Sequence, residues 1–332
     1  MSATSDGRQI MKLKVNGWKH NFCGMFCVLL LGSIACVVDA SAAELWVDGT
    51  SEDLIEDGSE TYPFHKIQSA IGSALQEDTV RVKPGVYEEN VVINKSLTLT
   101  GSGPDTTVIR GAGGVPLTIN ANLSASVKQF TITRGNGYGI SLKQCSSTVT
   151  NVLENIVSAS NSSHGFNQTS SCIGNVMATN CTFADNGGCG ITANSKSVFY
   201  NCLFTNNGQY GTDSPNTYRN QAFYCNAYGN VSGGFSYSDV SFCTTVDPLY
   251  IDSATGDYRL SSDSPCRNTG SPGRDARNPD GSRNDMGAYG GPGAAGFYDG
   301  YGNSPVVTDL HVTPGSVGEG QTITITATGK AQ

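Results

Sequence analysis

Charge is scarce in this sequence: Asp, Glu, Lys and Arg make up only 14% of its 332 residues. Together with 41 glycines, that scarcity argues against a helical protein and for a β-rich chain full of turns. Positive charge is the scarcer sign, with 20 Lys+Arg against 28 Asp+Glu. An acidic balance repels phosphate backbones, which excludes nucleic acid as the partner. The apolar run Met25–Val38, about 14 residues, falls short of a membrane span, which takes roughly 20. Behind Lys12, Lys14 and Lys19 and ahead of Ala40-Ser41-Ala42, it reads as a secretory signal peptide. Residues 1–43 are therefore set apart from the fold, and an exported chain is expected: extracellular, periplasmic or at the cell surface. Met11 is an alternative start, and Cys36 after Ser33-Ile34-Ala35 leaves a lipid anchor as the other reading of the segment. Removing it leaves 16 Lys+Arg against 26 Asp+Glu, a net charge of about −10, and no transmembrane segment.

What the chain has is repetition. Asn136–Ile140 (NGYGI), Ser163–Phe166 (SHGF), Gly188–Ile191 (GCGI), Gln209–Thr212 (QYGT) and Ser232–Phe235 (SGGF) align on a glycine at 139, 165, 190, 211 and 234. The spacings are 26, 25, 21 and 23 residues, one solenoid rung each. A second ladder runs in phase: Asn180-Cys-Thr-Phe183, Asn201-Cys-Leu-Phe204 and Tyr224-Cys-Asn226, with Asn186, Asn207 and Asn230 a few residues on. In a solenoid no single rung buries its apolar face without neighbours, so small apolar residues fill a narrow core and turn asparagines stack. Cys181, Cys202 and Cys225 are expected to stack as reduced thiols, and the glycines to supply positive φ at the corners. Val127–Ile132 and Ser197–Phe204 have strand rather than helix length. Propeller blades need roughly 40 residues, longer than these rungs. The fold class is all-β, a right-handed parallel β-helix with about five visible rungs between Gly111 and Val246.

Tyr62–Ile71, Asp78–Asn90 (DTVRVKPGVYEEN), Leu97–Gly101 and Thr107–Ile109 resemble the opening of the pectin-lyase-like superfamily. That resemblance implies a short amphipathic helix capping the N-terminal end of the solenoid. Phe64, Ile67, Ala70, Ile71 and Leu75 fall at helical spacing and support the cap independently, covering an otherwise open sheet edge. Asp247–Tyr250, Gly256–Leu260, Ser264-Pro265 and Asp285–Tyr289 resemble the closing segment of bacterial β-helix proteins of surface or secreted type. Residues from Ser304 read as two strands opening an immunoglobulin-like module, which takes about 100 residues, so a longer native chain is expected. The organisation is then a signal peptide at 1–43, cap and first rungs at 44–111, repeats at 112–246, a closing module at 247–302 and the start of the further module at 303–332.

Candidate chemistry is thin. Pro84–Glu89 is similar to the start of the pectin methylesterases, but their catalytic blocks are missing, which leaves Glu88 and Glu89 as turn residues near the cap. His164-Gly165 is similar to a pair in the polygalacturonases, yet the repeat places His164 in the slot of Tyr138, Cys189, Tyr210 and Gly233. Between Gly111 and Val246 the only carboxylates are Glu154, Asp185, Asp213 and Asp239, so a hydrolytic pair such as Asp185 and Asp213 would have to form across rungs. A lyase would need a strong base, for which Lys128, Arg134, Lys143, Lys196 and Arg219 are candidates against a plainer reading as solvated outer-face residues, and a cation such as calcium beside the uronate carboxyl. Asn278, Asp280 and Asn284 sit near positions 3, 5 and 9 of a calcium loop whose first and last positions, Ala276 and Gly287, offer no ligand; an Asp/Asn/Gly turn is the other reading, and no cofactor is the default. Eight cysteines follow the signal without one Cys-x-x-Cys pair, which argues against zinc or redox chemistry. Their even number permits disulfides, with Cys145 and Cys172 the candidate pair. Tyr138, Tyr210 and Tyr228 could stack on sugar rings. The reading is a monomeric exported β-helix that binds a polysaccharide or cell-surface component without cleaving it; the alternative is a lyase or glycosidase acting on a uronate-containing polymer.

Overall fold

The computed structural model describes residues 42–120, 122–143, 149–169, 174–194, 196–214, 219–298, 306–313 and 324–330. Cys145, Cys172 and the signal segment, apart from its last two residues, lie outside them. The chain from Glu44 to Ser241 coils as a parallel β-solenoid with three faces. The first face holds Glu44–Val47, Thr79–Val82, Leu97–Thr100, Asn175–Thr179, Val198–Tyr200, Asn220–Phe223 and Ser238–Ser241. The second holds Gly85–Glu88, Thr107–Arg110, Thr182–Ala184, Leu203–Thr205 and Asn226–Tyr228. Two long strands, Ala125–Thr133 and Thr150–Ala159, bend through the corner and serve both faces. The third face stacks Val91–Ile93, Leu117–Ile119, Ile140–Leu142, Phe166–Gln168, Ile191–Thr192, Tyr210–Asp213 and Gly233–Phe235.

Its register pairs Ile140 with Phe166, Phe166 with Ile191, Ile191 with Thr212 and Thr212 with Phe235, the same offsets as the glycine repeat. Six strands of this face, not five, lie between Gly111 and Val246. The extra one, Leu117–Ile119, escaped the repeat because Val115-Pro116 stands where the others carry their glycine signal.

The repeat glycines are needed for a reason other than φ. Gly139, Gly165, Gly190 and Gly211 are not among the positive-φ residues, but a Cβ on each would lie 2.5–2.8 Å from a carbonyl oxygen of the next rung. The left-handed corners fall instead to longer side chains in two columns: Gln129, Asn155, Asn180, Asn201 and Tyr224 between the first and second faces, and Arg134, Ser160, Asp185 and Asn206 after the second. Asn and Asp tolerate that region well, which explains much of the asparagine content.

Inside, the columns are continuous. Phe130, Ile156, Cys181, Cys202 and Cys225 are fully buried on successive rungs, and Phe183 stacks on Phe204 at 5.7 Å. The cysteines 181, 202 and 225 are free thiols, and burial drives that of Cys202 well above its ordinary pKa. Beside them runs an amide ladder: Nδ2 of Asn161, Asn186 and Asn207 donates to Oδ1 of Asn186, Asn207 and Asn230 at 2.9, 3.0 and 2.8 Å. Each Oδ1 also accepts the backbone N–H of the preceding rung, so these buried amides are satisfied.

The N-terminal end is capped by the helix Ile67–Ser73, with Ile67, Ala70 and Ile71 buried. Leu75, expected on that apolar face, lies past the helix and is 66% exposed. At the other end a hairpin, Tyr250–Asp252 with Asp257–Leu260, and the segment up to Tyr298 lie along the corner between the first and second faces. Val306–Thr313 and Thr324–Lys330 form an antiparallel pair.

Candidate functional site

Four of the side chains singled out in the sequence converge on the outside of the third face. Backbone bonds from Gly139 to His164, Gly165 to Cys189 and Gly190 to Tyr210 put Tyr138, His164, Cys189 and Tyr210 in one column at the entrance to the strands. Three residues further along each rung, Ser141, Asn167, Thr192 and Asp213 form a parallel row, held in register by the strand pairing. Alternation turns this row away from the core, where Ile140, Phe166 and Ile191 point. Together the two columns make a strip about four rungs long, half-exposed at Tyr138, His164, Tyr210 and Asp213 and buried at Ser141, Asn167 and Thr192.

Tyr138 and His164 stack with ring centroids 5.6 Å apart and planes 8° from parallel. Nδ1 of His164 accepts the Cys189 backbone N–H at 2.8 Å, so the ring proton belongs on Nε2 and the imidazole is neutral. Burial lowers its proton affinity further. The Cys189 thiol is pushed up by burial, which holds it protonated and poorly nucleophilic. Thr192 is 9% exposed, with its hydroxyl turned to the Cys189 thiol. The strip thus offers flat rings and one carboxylate, with the neutral row of Ser141, Asn167 and Thr192 buried beside them.

The other candidates lie elsewhere. Asp185 occupies a left-handed corner, where its carboxylate accepts a 2.8 Å bond from the Tyr258 hydroxyl and its pKa is raised by burial. It belongs to a different corner from Asp213, so the two carboxylates do not share a site. Tyr228 points outward from the second face, paired with Thr205, and is remote from the Tyr138 column. Lys196 and Arg219 precede Val198 and Gln221, which are register partners, by two residues each, so they occupy equivalent positions on successive rungs. Arg219 is bound to Asp239. In the closing segment Asn278 donates to Ser282, Arg283 and Tyr298 and accepts from Asp285 and Gly291. Asn284 is bonded to Asn180, and Asp280 accepts the Ser282 N–H. All three side chains are thereby turned to bonds within the protein. Glu88 pairs with Arg110, while both oxygens of Glu89 receive N–H groups of the helix start, at Ile67 and Gln68.

Reasoning from sequence missed Ser141, Asn167 and Thr192. Each stands two residues after a repeat glycine, and that constant offset was the available signal.

Residues 114–269 match the family model of the right handed beta helix region, in keeping with the parallel β-solenoid that the structure shows. Among solved structures it is similar to a pectin methylesterase from carrot, at 14% identity and a TM-score of 0.36, covering 58% of this chain and 76% of that one. A protein of Geobacillus virus E2 aligns at 20% identity and a TM-score of 0.42 over 54% of this chain and 43% of the other. A pectate lyase aligns at 12% identity and a TM-score of 0.38 over 75% and 96%. No curated protein matches. No helix among the described residues is long and apolar enough to cross a membrane.

Proposed function

We propose that the chain is an exported, non-catalytic recognition protein that holds a glycan against the outside of its third face. The observation that carries this reading is the stacked, half-exposed Tyr138–His164 pair, with Tyr210 and Asp213 half-exposed on the same strip. Aromatic faces complement the C–H faces of a pyranose, and a lone carboxylate such as that of Asp213 can accept from its hydroxyls. Cleavage would need a proton donor or an activated nucleophile in the strip. His164 is neutral with Nδ1 occupied, Cys189 keeps its proton, and Asp185, which could have paired with Asp213, is bonded to Tyr258 at another corner. Fold alone carries no activity, so the assignment rests on the strip.

A second reading, cleavage of a uronate polymer, draws on the adjacency of Lys196 and Arg219. The same experiment separates the two. The full chain is titrated with a panel of neutral and acidic polysaccharides, and each mixture is assayed for reducing ends and for unsaturated-uronate absorbance. Binding without turnover, weakened at least tenfold by Tyr138→Ala, is expected. Turnover lost in Lys196→Ala or Arg219→Ala would establish the lyase instead.

A further inference from the structure

The outer side of the second face is covered unevenly. Val157, Ala159 and Ala184 are buried under Tyr250, Tyr258 and Ala288 of the closing segment, and Leu203 under Leu260 and Met286. On the preceding rungs the cover lifts away, and the hairpin tip Ser253–Gly256 overhangs the strands Thr107–Arg110 and Ala125–Thr133. Between them lies a cavity of about 560 Å³, bounded by Asp105, Arg110, Arg134, Asp257, Tyr258 and Tyr289 among others. That volume falls within the roughly 300–1,000 Å³ of small-molecule sites. It lies on a different face from the Tyr138 strip, and neither depends on the other.

Arg134 is out of place in its column. It holds a left-handed corner at φ 57°, where the following rungs use Ser160, Asp185 and Asn206. Short polar side chains suit that backbone, whereas a long one gains nothing from it and bears the strain. Its guanidinium is exposed and has no ion-pair partner among the described residues. Arg110, whose register partner Thr133 directly precedes Arg134, reaches only the exposed Glu88 at 3.3 Å, and its Nε is buried without a partner. Arg259, the third arginine of the cavity, is neutralised by Asp257 at 2.6 Å. One end of the cavity therefore carries the unpaired guanidinium of Arg134 beside the partly compensated one of Arg110, with the Asp105 carboxylate also in the lining, in a chain of net charge −8. Guanidinium groups bind carboxylate, sulfate and phosphate oxygens through paired N–H donors.

We propose that this cavity binds a ligand the size of one or two sugar rings through an oxyanion, a carboxylate or a sulfate, held between Arg110 and Arg134. The half-buried ring of Tyr289 and the Tyr258 ring would flank the body of the ligand.

Calorimetric titration of the full chain with digalacturonate, galactose 6-sulfate and neutral galactobiose tests the idea. At least one charged probe is expected to bind at least tenfold more tightly than galactobiose, with affinity falling as salt rises. Whichever charged probe wins identifies the oxyanion. Arg134→Asn, a residue the same corner accepts at Asn206, should weaken the charged probe at least tenfold while the melting temperature holds. Arg110→Gln should do the same, and Tyr138→Ala should change nothing. Equal binding of charged and neutral probes, full affinity in Arg134→Asn, or no binding of any probe at millimolar concentration would each overturn it.

Discussion

Because the Nδ1 of His164 accepts a backbone N–H, protonating the ring costs the folded chain a hydrogen bond as well as desolvation. The unfolded chain takes up that proton near the ordinary value of 6.5, the folded chain only at lower pH. The stability tied to His164 is therefore full above about pH 6.5 and is lost as pH falls through the folded pKa. Urea midpoints measured from about pH 7 down to about pH 5 should drop more steeply for the wild type than for His164→Gln, whose amide oxygen can accept the same N–H. Parallel slopes would rule His164 out as the source. At this scale the sequence was a partial guide. The repeat aligned Tyr138, His164 and Tyr210 correctly, because a rung-length offset is a local pattern. The reason for the glycines was not legible, since the carbonyl that excludes a Cβ at Gly165 belongs to Gly190, on the next rung. Asn161 also escaped notice as the first amide of the ladder.

Seven residues are too few for a helix to hold itself in water, and Lys66 at the start of Ile67–Ser73 provides no side-chain cap. The cap comes from Glu89, which lies 22 and 21 residues ahead and accepts from Ile67 and Gln68 at 2.9 and 3.0 Å. A carboxylate there satisfies two orphan N–H groups and faces the positive end of the helix. Glu89→Ala should cost about 1 kcal/mol, with about 0.5–2 the usual range for a lost cap. Thermal unfolding followed by circular dichroism checks this, and an unchanged midpoint would show that water replaces the carboxylate. The helix itself could be read from the spacing of Ile67, Ala70 and Ile71. Its cap could not, because nothing in Pro84–Glu89 distinguishes an acid that faces solvent from one that reaches back to a helix.

A solenoid is coupled mainly rung to rung, but the closing segment adds ties that skip along it. Gln129 donates to Gly293 at 2.7 Å, Asn155 to Ala288 and Gly290 at 2.8 and 2.9 Å, Asn180 to Asp285 at 2.8 Å, and Asn201 accepts from Ser271 at 2.7 Å. The final rung lacks these ties and exposes Tyr237, Val240 and Phe242. Hydrogen exchange should therefore be slowest in Thr150–Ala159 and Asn175–Thr179 and faster in Ser238–Ser241, with Asn180→Ala narrowing the difference; uniform protection would contradict it. These ties join residues 70 to 164 positions apart, which is why no pattern in the sequence announced them. They also run in opposite order, the earliest rung meeting the latest residue of the segment. Copy number is thereby locked over part of the coil. A rung gained or lost between Gln129 and Asn201 would shift every later corner by one partner, whereas one added before Gln129 or after Asn201 would leave these bonds matched, so the coil is free to change length at its ends and not in its middle.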